Sequence, residues 1–322
     1  MTEPLLRRLH ARGDRITVAA LPWVAPVYRL MPQVSATIEL PFAHGGLQWS
    51  ARRALAKTLR GQFDRAVVCP NSWKSALVPW WAGITQRVGY VGEARWGLLT
   101  ERLPNPKKQE RPPMVAFYAA LSGEAAVSQD KPILVPDVGA DSVALLALGL
   151  ERQGYWAMAP GAEYGPAKRW PAEHFAALAH AVFQKTGQPV VLLGSSKDSD
   201  ICETISRLAN TESPNTCLNL SGKTRLDQAL SVIGNARAIV SNDSGLMHVA
   251  AAFGVPQVAL FGSSSPLHTP PLSDAAQVIW LKNEPQYLPP LNCAPCFARE
   301  CPLGHTRCLR DITPEMVMRR LF

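Results

Sequence analysis

Short apolar, strand-like runs alternate with amphipathic, helix-like runs along nearly the whole chain. In residues 1–120, runs such as ITVAALP and DRAVVCP are each followed within a few residues by a helix-like run. The same order restarts after residue 150, from YWAMAPG through QVALFG. Repeated strand-then-helix units with short connections are typical of parallel, doubly wound sheets. The pattern therefore predicts an α/β protein built of two Rossmann-like domains that face a cleft.

A segment rich in proline, charge and small residues interrupts the alternation between Asn105 and Asp141. Such a shift in composition indicates a linker. We place the domain boundary near residue 150, with the two domains at residues 1–150 and 151–322. A chain of 322 residues, 47% of them hydrophobic, is long enough to give each domain its own core.

Composition excludes several classes of protein. The charged content of 18% argues against disorder, and no uncharged apolar run reaches the roughly 18 residues that a membrane span needs. The N-terminal residues MTEPLLRRLHARGD also lack the apolar core of a signal peptide. We therefore expect a soluble, cytoplasmic protein.

Positive charge is concentrated in the first part of the chain. Residues 1–120 hold 17 Lys and Arg against 7 Asp and Glu, within a net charge of +8 for the whole chain. A field of this sign favours an anionic partner such as nucleic acid, a phosphorylated substrate or the acidic face of a membrane. The basic residues are scattered and no nucleic-acid-binding motif accompanies them, so we expect no nucleic acid partner.

Two loops of the second half carry candidate functional residues, because ligands of open α/β sheets sit at the carboxyl ends of strands. After the strand-like run AIVS, Asp243 or Ser244 can cap the next helix, and Gly245 allows close approach to its N-terminus, which favours anions. After YWAMA, the loop PGAEYGPAKRWP presents Lys168, which could neutralise a diphosphate. Helix capping and a solvated Lys-Arg pair explain these residues equally well at this point.

Common nucleotide-binding and hydrolase motifs are missing or incomplete. SGKT at residues 221–224 lacks the glycine that a phosphate-binding P-loop places five residues before Gly222, where Cys217 stands. No G-x-G-x-x-G follows the early strands, which argues against a dinucleotide oxidoreductase, and no G-x-S-x-G elbow is present.

Three long segments, in this order, resemble one known family: PNSWKSALVPWWAGITQRVGYVGEARWGLLT, PGAEYGPAKRWP and SNDSGLMHVAAAFGVPQVALFGSSSP. They are similar to the ADP-heptose:lipopolysaccharide heptosyltransferases of glycosyltransferase family 9, specifically the heptosyltransferase II branch. The resemblance runs from Met1 to about Ser273. It implies a GT-B fold and the inverting transfer of L-glycero-D-manno-heptose from ADP-heptose to the first heptose of the lipopolysaccharide inner core, with no cofactor required.

The resemblance also implies roles for residues of the two loops. Lys168 matches the diphosphate-binding lysine and Asp243 the aspartate that meets the heptose, which makes them the catalytic candidates. The backbone of residues 244–246 matches the loop that holds the phosphates, and Asp198 falls where related enzymes have an acidic residue on the ribose. His248 lies one helical turn on, where packing explains it equally well. The predicted donor-binding set is thus Lys168, Asp198, Asp243, Ser244, Gly245, Leu246 and His248.

The chain departs from the family at its beginning. The family's general base, an aspartate, lies in a Gly-Asp turn after a first strand, whereas this sequence opens on the helix-like run MTEPLLRRLH. The first strand of the N-terminal domain is therefore expected to be missing from this sequence and to lie upstream of Met1. We expect the chain as it stands to bind ADP-heptose poorly and to transfer little.

Basic residues of the first half are candidates for contact with the acceptor. The inner core and lipid A carry phosphates and acidic sugars, so Lys74, Arg87 and Arg95 are predicted acceptor contacts, with surface solvation as the alternative for each. An acceptor of this kind also implies peripheral contact with the cytoplasmic face of the inner membrane.

Four of the seven cysteines are clustered near the C-terminus, in CAPCFARECPLGHTRC. Cys293, Cys296, Cys301 and Cys308, with His305 among them, are compatible with a structural zinc site, and disulfides are the weaker option in a reducing cytoplasm. Heptosyltransferases are not held to require such a site.

Two other functions stay open. One is a GT-B transferase that uses a different nucleotide sugar. The other is a catalytically silent nucleotide-binding protein, which the missing Gly-Asp turn favours.

Overall fold

The computed structural model of the chain describes residues 1–43, 45–107, 110, 112–124 and 130–322, apart from the side chain of residue 212. These residues form two compact units, Met1–Asp130 and Lys131–Phe322.

The boundary between the units lies earlier than the predicted one near residue 150. Part of the predicted linker forms a helix, Val138–Ala147, that packs on helix Leu226–Gly234 of the second unit. The buried carboxylate of Asp141 joins the two helices, because it accepts hydrogen bonds from Ser231 Oγ at 2.6 Å and from Asn235 Nδ2 at 3.1 Å. The sequence of the linker hides this contact, since its polar partner lies about 90 residues further along the chain.

The first unit contains five strands and five α-helices among its described residues. The strands are β1 (Ile16–Ala20), β2 (Val34–Glu39), β3 (Arg65–Val68), β4 (Gln86–Tyr90) and β5 (Glu101–Leu103). The helices are α1 (Glu3–Ala11), α2 (Ala25–Arg29), α3 (Trp49–Thr58), α4 (Leu77–Trp81) and α5 (Met114–Ala119).

All strand pairs of the first unit are parallel, as the strand-helix alternation predicts. β1 pairs with β2 in one sheet, and β3, β4 and β5 follow one another in a second sheet. The two sheets are separate among the described residues. That a further strand precedes Met1 stays a prediction. Strands β4 and β5, which the sequence analysis did not identify, are short and carry charged residues at Arg87, Glu101 and Arg102.

The second unit contains a six-stranded parallel sheet. Its strands are β6 (Trp156–Ala159), β7 (Val190–Leu192), β8 (Cys217–Asn219), β9 (Ile239–Asn242), β10 (Gln257–Leu260) and β11 (Ala276–Ile279). Its helices are α6 (Val138–Ala147), α7 (Ala172–Thr186), α8 (Ser199–Glu212), α9 (Leu226–Gly234), α10 (Gly245–Phe253), α11 (Arg307–Arg310) and α12 (Pro314–Leu321).

The strand order of this sheet places two loops side by side. The order is β11-β10-β9-β6-β7-β8, so the chain runs from β6 to one side and later returns to β9 on the other side. Ala159 pairs with Ser241, so the carboxyl ends of β6 and β9 are neighbours. The point at which the strand order reverses is where doubly wound sheets bind ligands. It lies here between the loop after β6 and the loop after β9.

Apolar helix faces cover the sheet. In α7, Phe175, Leu178, Ala179 and Val182 are buried at the three- and four-residue spacing of one helical face, and they pack in the main core with strands β6, β7 and β9. The four residues of β9 and of β10 are all buried, because a parallel sheet is covered on both faces. No helix in the described part of the chain is both long and apolar enough to cross a membrane.

Candidate active site

Lys168 and Asp243 meet at the switch point of the second unit. Lys168 ends a 3₁₀ turn, Pro166–Lys168, in the loop after β6, and Asp243 follows β9 directly. The ammonium Nζ lies 2.5 Å from Asp243 Oδ2. The same ammonium stands 5.2 Å from the ring centroid of Tyr164, and the Thr269 hydroxyl lies 3.5 Å from the second carboxylate oxygen. The two predicted catalytic residues are therefore brought together.

Asn242 holds the lysine-bearing loop in place. Its side chain is fully buried at the end of β9. The amide Nδ2 donates to the Pro160 carbonyl at 2.7 Å, and Oδ1 accepts from the Trp170 backbone N–H at 3.1 Å. One side chain thus fixes both ends of the loop that carries Lys168. Trp170, itself buried, is anchored further by its indole N–H, which donates to the Ile312 carbonyl at 2.8 Å.

Three serine hydroxyls near this point lack a partner among the described residues. Ser244 begins α10, and Ser263 and Ser264 lie in the loop after β10. Leu260 pairs with Asn242, so the loop after β10 adjoins the loop after β9. A buried hydroxyl without a hydrogen bond is costly, by about 1–3 kcal/mol, and such groups often await a ligand or water. Each is a donor without a described partner in a segment that follows β9 or β10, next to the strand end that carries Asp243.

The N-terminus of α10 is open to solvent. Ser244 is its N-cap residue, but its side chain makes no capping hydrogen bond. A side chain added at Gly245 would meet no described atom within 4 Å, and Gly245 itself is exposed. The first backbone N–H groups of this helix therefore stay available for an anion, as expected from Asp243, Ser244 and Gly245 between the strand and the helix.

His248 lies one turn into α10. Burial lowers the pKa of its imidazole to about 4, although the nearby Asp243 carboxylate raises it. The ring is therefore neutral near pH 7 and adds no positive charge to the site.

Asp198 has partners within the chain. Its Oδ2 accepts from the Ser195 backbone N–H at 3.0 Å and from the Ser195 hydroxyl at 2.8 Å, and Oδ1 lies 3.7 Å from an Arg169 guanidinium nitrogen. The carboxylate packs so closely on Gly161 that a methyl group there would stand 2.5 Å from its carbon. Asp198 therefore connects the loop after β7 to the lysine-bearing loop. Its contact with a ribose stays a prediction.

The predicted acceptor residues of the first unit differ in their surroundings. Arg95 is only 2% exposed, and its guanidinium donates to the carbonyls of Pro70, at 2.8 Å, and Tyr90. This burial, which also lowers its pKa, corrects the prediction that Arg95 contacts an acceptor: the side chain closes its own turn.

Arg87 is also bound to the backbone of its own unit. It is half-buried, and its guanidinium donates to the carbonyls of Leu98, at 2.6 Å, and Ile84. Lys74 donates to the Gly45 carbonyl and has two further ammonium hydrogens. Of the three candidates, Lys74 has the greatest capacity left for an anionic ligand.

The four clustered cysteines line one cavity of the second unit. Cys293, Cys296, Cys301 and Cys308 surround it together with His305, Ala167 and Ser263. All four cysteines are free thiols. Burial raises the pKa of Cys308 to about 11, and the other three cysteines add to the shift. Among the described residues, no group of three or more His, Cys, Asp or Glu side chains is placed so that it could hold a metal ion.

The charged residues of the site were predicted from the sequence, whereas the residues that hold the Lys168 loop or offer free hydroxyls were not. Asn242, Ser263 and Ser264 were not predicted, although Asn242 directly precedes Asp243 and the serines follow a strand that neighbours β9. The position of SSSP directly after the run QVALFG was the available signal, since carboxyl ends of parallel strands share one edge.

The residues of this site lie in a region of the chain that matches a known protein family. The model of glycosyltransferase family 9 (heptosyltransferase) matches residues 52–307. Lipopolysaccharide heptosyltransferase 2 of Escherichia coli K12 is 42% identical over 335 aligned positions, covering 100% of this chain and 93% of that protein. Lipooligosaccharide heptosyltransferase 2 of Haemophilus influenzae is 40% identical and covers 95% of this chain and 89% of its own length. The solved structure of E. coli ADP-heptose lps heptosyltransferase II superposes with a TM-score of 0.84 at 40% identity, over 99% of this chain and 92% of that one.

Proposed function

Because the chain belongs to glycosyltransferase family 9 (heptosyltransferase), we propose that it transfers L-glycero-D-manno-heptose from ADP-heptose to the first heptose of the lipopolysaccharide inner core. The relatives that cover nearly the whole chain are named heptosyltransferase 2, and their solved counterpart is named for ADP-heptose. The observation that carries the proposal is the Lys168–Asp243 pair, which lies beside the open N-terminus of α10.

The charges of this pair suit the chemistry of the donor. When the bond between the anomeric carbon and the phosphate oxygen breaks, its electrons stay on ADP. The acceptor hydroxyl gives its proton to a general base, and its oxygen forms the new bond to the anomeric carbon. Lys168, the N–H groups that begin α10 and the hydroxyls of Ser244, Ser263 and Ser264 can stabilise the negative charge on the departing diphosphate. Asp243 then faces the sugar, whose ring becomes positive. Positive charge and oriented dipoles supply this stabilisation without a metal cofactor.

The acceptor side of the proposal rests on the basic first unit. The inner core is anionic, and Lys74 keeps ammonium hydrogens free for a phosphate or carboxylate. The backbone carbonyl of Lys74 accepts from the buried Arg52 guanidinium at 3.1 Å, which fixes the main chain under this side chain. We propose Lys74 as the acceptor contact of this region.

We also propose that the first unit touches the cytoplasmic face of the inner membrane. Two tryptophans, Trp23 and Trp96, are each 65% exposed, and Trp80 is 45% exposed. Exposed indoles near basic residues are typical of proteins that rest on an anionic lipid surface, because the ring suits the headgroup region. Co-sedimentation with vesicles of phosphatidylethanolamine and phosphatidylglycerol tests this contact. Vesicle binding should weaken in Trp96→Ala. Equal binding to purely zwitterionic vesicles would contradict the proposed contact with an anionic surface.

The transfer reaction is tested with purified protein and a core acceptor that carries one heptose. We expect transfer from ADP-heptose, by this chain or more strongly by a form extended at its N-terminus, detected as a mass increase of the acceptor, and little or none from UDP- or GDP-sugars offered in parallel. Equal transfer from another nucleotide sugar would assign a different donor. Binding of ADP by calorimetry, with no transfer by this chain or by a form extended at its N-terminus, would instead identify a silent nucleotide-binding protein.

A further inference from the structure

The cysteine-rich segment has no regular secondary structure to hold it. Between the 3₁₀ turn that ends at Asn283 and helix α11, which begins at Arg307, the chain forms no helix or strand, although every residue of this stretch is described. Irregular segments of more than about 12–15 residues are uncommon in compact domains unless something else orders them. All the cysteines of the chain are free, so no disulfide does so.

Four thiols of this segment line one cavity. Cys293 and Cys296 enter it from one turn, Cys301 from a second turn and Cys308 from the start of α11. The spacing is C-x₂-C-x₄-C-x₆-C. We propose that these four cysteines bind one thiophilic metal ion, zinc or iron, in a tetrahedral thiolate site that folds the segment 293–308. Binding displaces the thiol protons to solvent, and the thiolates become the ligands.

The backbone of both turns has the form that such a site requires. Phe297, directly after the Cys293–Cys296 pair, has φ 53°, and Gly304, three residues after Cys301, has φ 69°. A left-handed residue after a cysteine turns backbone N–H groups toward the sulfur. At the second turn, the Gly304 N–H donates to the Cys301 carbonyl at 3.1 Å, which closes the turn that carries this cysteine. Metal-bound thiolates are stabilised by N–H donors of this kind, which form the outer shell of the site.

The hydrogen bonds of His305 exclude it as the fourth ligand. Its Nδ1 accepts from the Arg307 backbone N–H at 3.1 Å, so the ring hydrogen belongs on Nε2. This Nε2 lies 4.0 Å from Cys293 Sγ and therefore faces the sulfur as a donor. Metal ligation through Nε2 would move the ring hydrogen to Nδ1 and break the hydrogen bond from Arg307, so His305 supports a thiolate from outside the ligand set. The thiol side chains must still rotate onto the ion, as their described placement is that of free thiols.

The segment is packed on the loop that carries Lys168. The Arg299 carbonyl accepts from the Ala167 backbone N–H at 3.0 Å, and the Tyr164 hydroxyl donates to the Phe297 carbonyl at 2.7 Å. Gly165 leaves no space between them, since a Cβ there would stand 2.5 Å from the Arg299 oxygen. If the proposed function holds, metal binding therefore positions Lys168 indirectly, and the cysteines are positioning residues.

The metal content of the full chain tests the site. Protein purified without a His tag should contain about one zinc or iron per chain by mass spectrometry of the elements, and iron would add a visible absorption band that zinc lacks. Cys296→Ser, at the most exposed cysteine of the cluster, should lose most of the metal, whereas the isolated Cys69→Ser should retain it. His305→Ala should also retain it.

Thiol footprinting keeps the test informative if a variant fails to fold. In the native protein, iodoacetamide should spare Cys293, Cys296, Cys301 and Cys308 until a denaturant and a chelator are added. Alkylation of the exposed Cys296 at its full rate before that addition, with less than a tenth of an equivalent of metal, would overturn the proposal. Loss of metal on His305→Ala equal to that on Cys296→Ser would overturn the four-cysteine ligand set.

The effect of the metal on the active site can be measured separately. Removal of the metal should weaken ADP binding measured by calorimetry and lower the unfolding temperature. Metal bound at one equivalent in a protein that binds no ADP would leave the metal site intact and refute the proposed transferase function instead.

Discussion

The ammonium of Lys168 lies 2.5 Å from the carboxylate of Asp243, although the two residues are 75 positions apart in the chain. Both charges are largely removed from solvent, with the aspartate side chain 6% exposed and the lysine side chain 18% exposed. A buried pair of opposite charges is weak evidence for a stabilising role, because desolvation offsets much of its attraction. Its position beside a free helix N-terminus favours a functional role instead. In that role, a diphosphate takes the place of Asp243 beside Lys168, and a sugar takes the place of Lys168 beside Asp243.

Replacing Lys168 with methionine should abolish most of the transfer reaction. The variant keeps the length of the side chain but removes the charge that stabilises the leaving diphosphate, so we expect a fall in kcat of roughly 10²–10³-fold. Initial rates at saturating ADP-heptose measure it. Lys131→Met removes an exposed lysine paired with Asp274 at 2.5 Å and should leave the rate unchanged. A rate within a factor of three of the parent protein for Lys168→Met would remove this lysine from the mechanism.

Replacing Asn242 with alanine should weaken both the fold and the site. The change leaves the Pro160 carbonyl and the Trp170 N–H buried without a partner, at about 1–3 kcal/mol for each group. Urea unfolding should give a lower free energy, and ADP affinity should fall because the Lys168 loop is no longer held at both ends. Asn283→Ala, at an exposed position, is the matched control. Unfolding curves of the two variants that coincide would show that Asn242 does not hold the loop.

Replacing Ser263 or Ser264 with alanine should separate binding from stability. Each hydroxyl is buried and lacks a partner among the described residues, so its removal should leave the free energy of unfolding unchanged or slightly raised. ADP affinity should nevertheless fall by roughly 3–10-fold for each hydroxyl, as for the loss of one hydrogen bond of about 0.5–1.5 kcal/mol. Calorimetry with ADP measures this. Ser241→Ala, also buried without a partner but inside β9, should leave ADP affinity unaltered. Equal losses in all three variants would argue against a phosphate contact.

Acid should destabilise the protein through His248. Its pKa is about 4 in the folded chain, below the ordinary value of 6.5, so between these two values only the unfolded chain binds the proton. Protonation then favours unfolding, and stability is lost as the pH falls from 6.5 toward 4. The free energy of unfolding should therefore drop less between pH 7 and pH 5 in His248→Gln than in the parent protein. If the free energy of unfolding changes equally with pH in the two proteins, the imidazole is in contact with solvent and the prediction is wrong.

The local pattern of the sequence was sufficient for the class of fold and the family. Strand-helix alternation predicts parallel sheets because each element type has its own period of apolar residues, and that period is a local property. The parallel sheets were predicted in this way and are confirmed. The family resemblance came from three long segments with characteristic motifs, and it is confirmed too. Asp243 could be identified because it directly follows an apolar strand, and Lys168 because it lies in the loop after another apolar strand.

The partners of each side chain were decided by tertiary structure alone. Arg95 reads as a free surface cation in the sequence, but the fold brings two backbone carbonyls to its guanidinium and buries it. Asp141 reads as a linker residue, yet it meets a serine 90 positions away. Hydrogen bonds and burial depend on which segments become neighbours in space. A linear pattern thus determined where charge is available, while the packing of distant segments decided which charges and hydroxyls remain free to act.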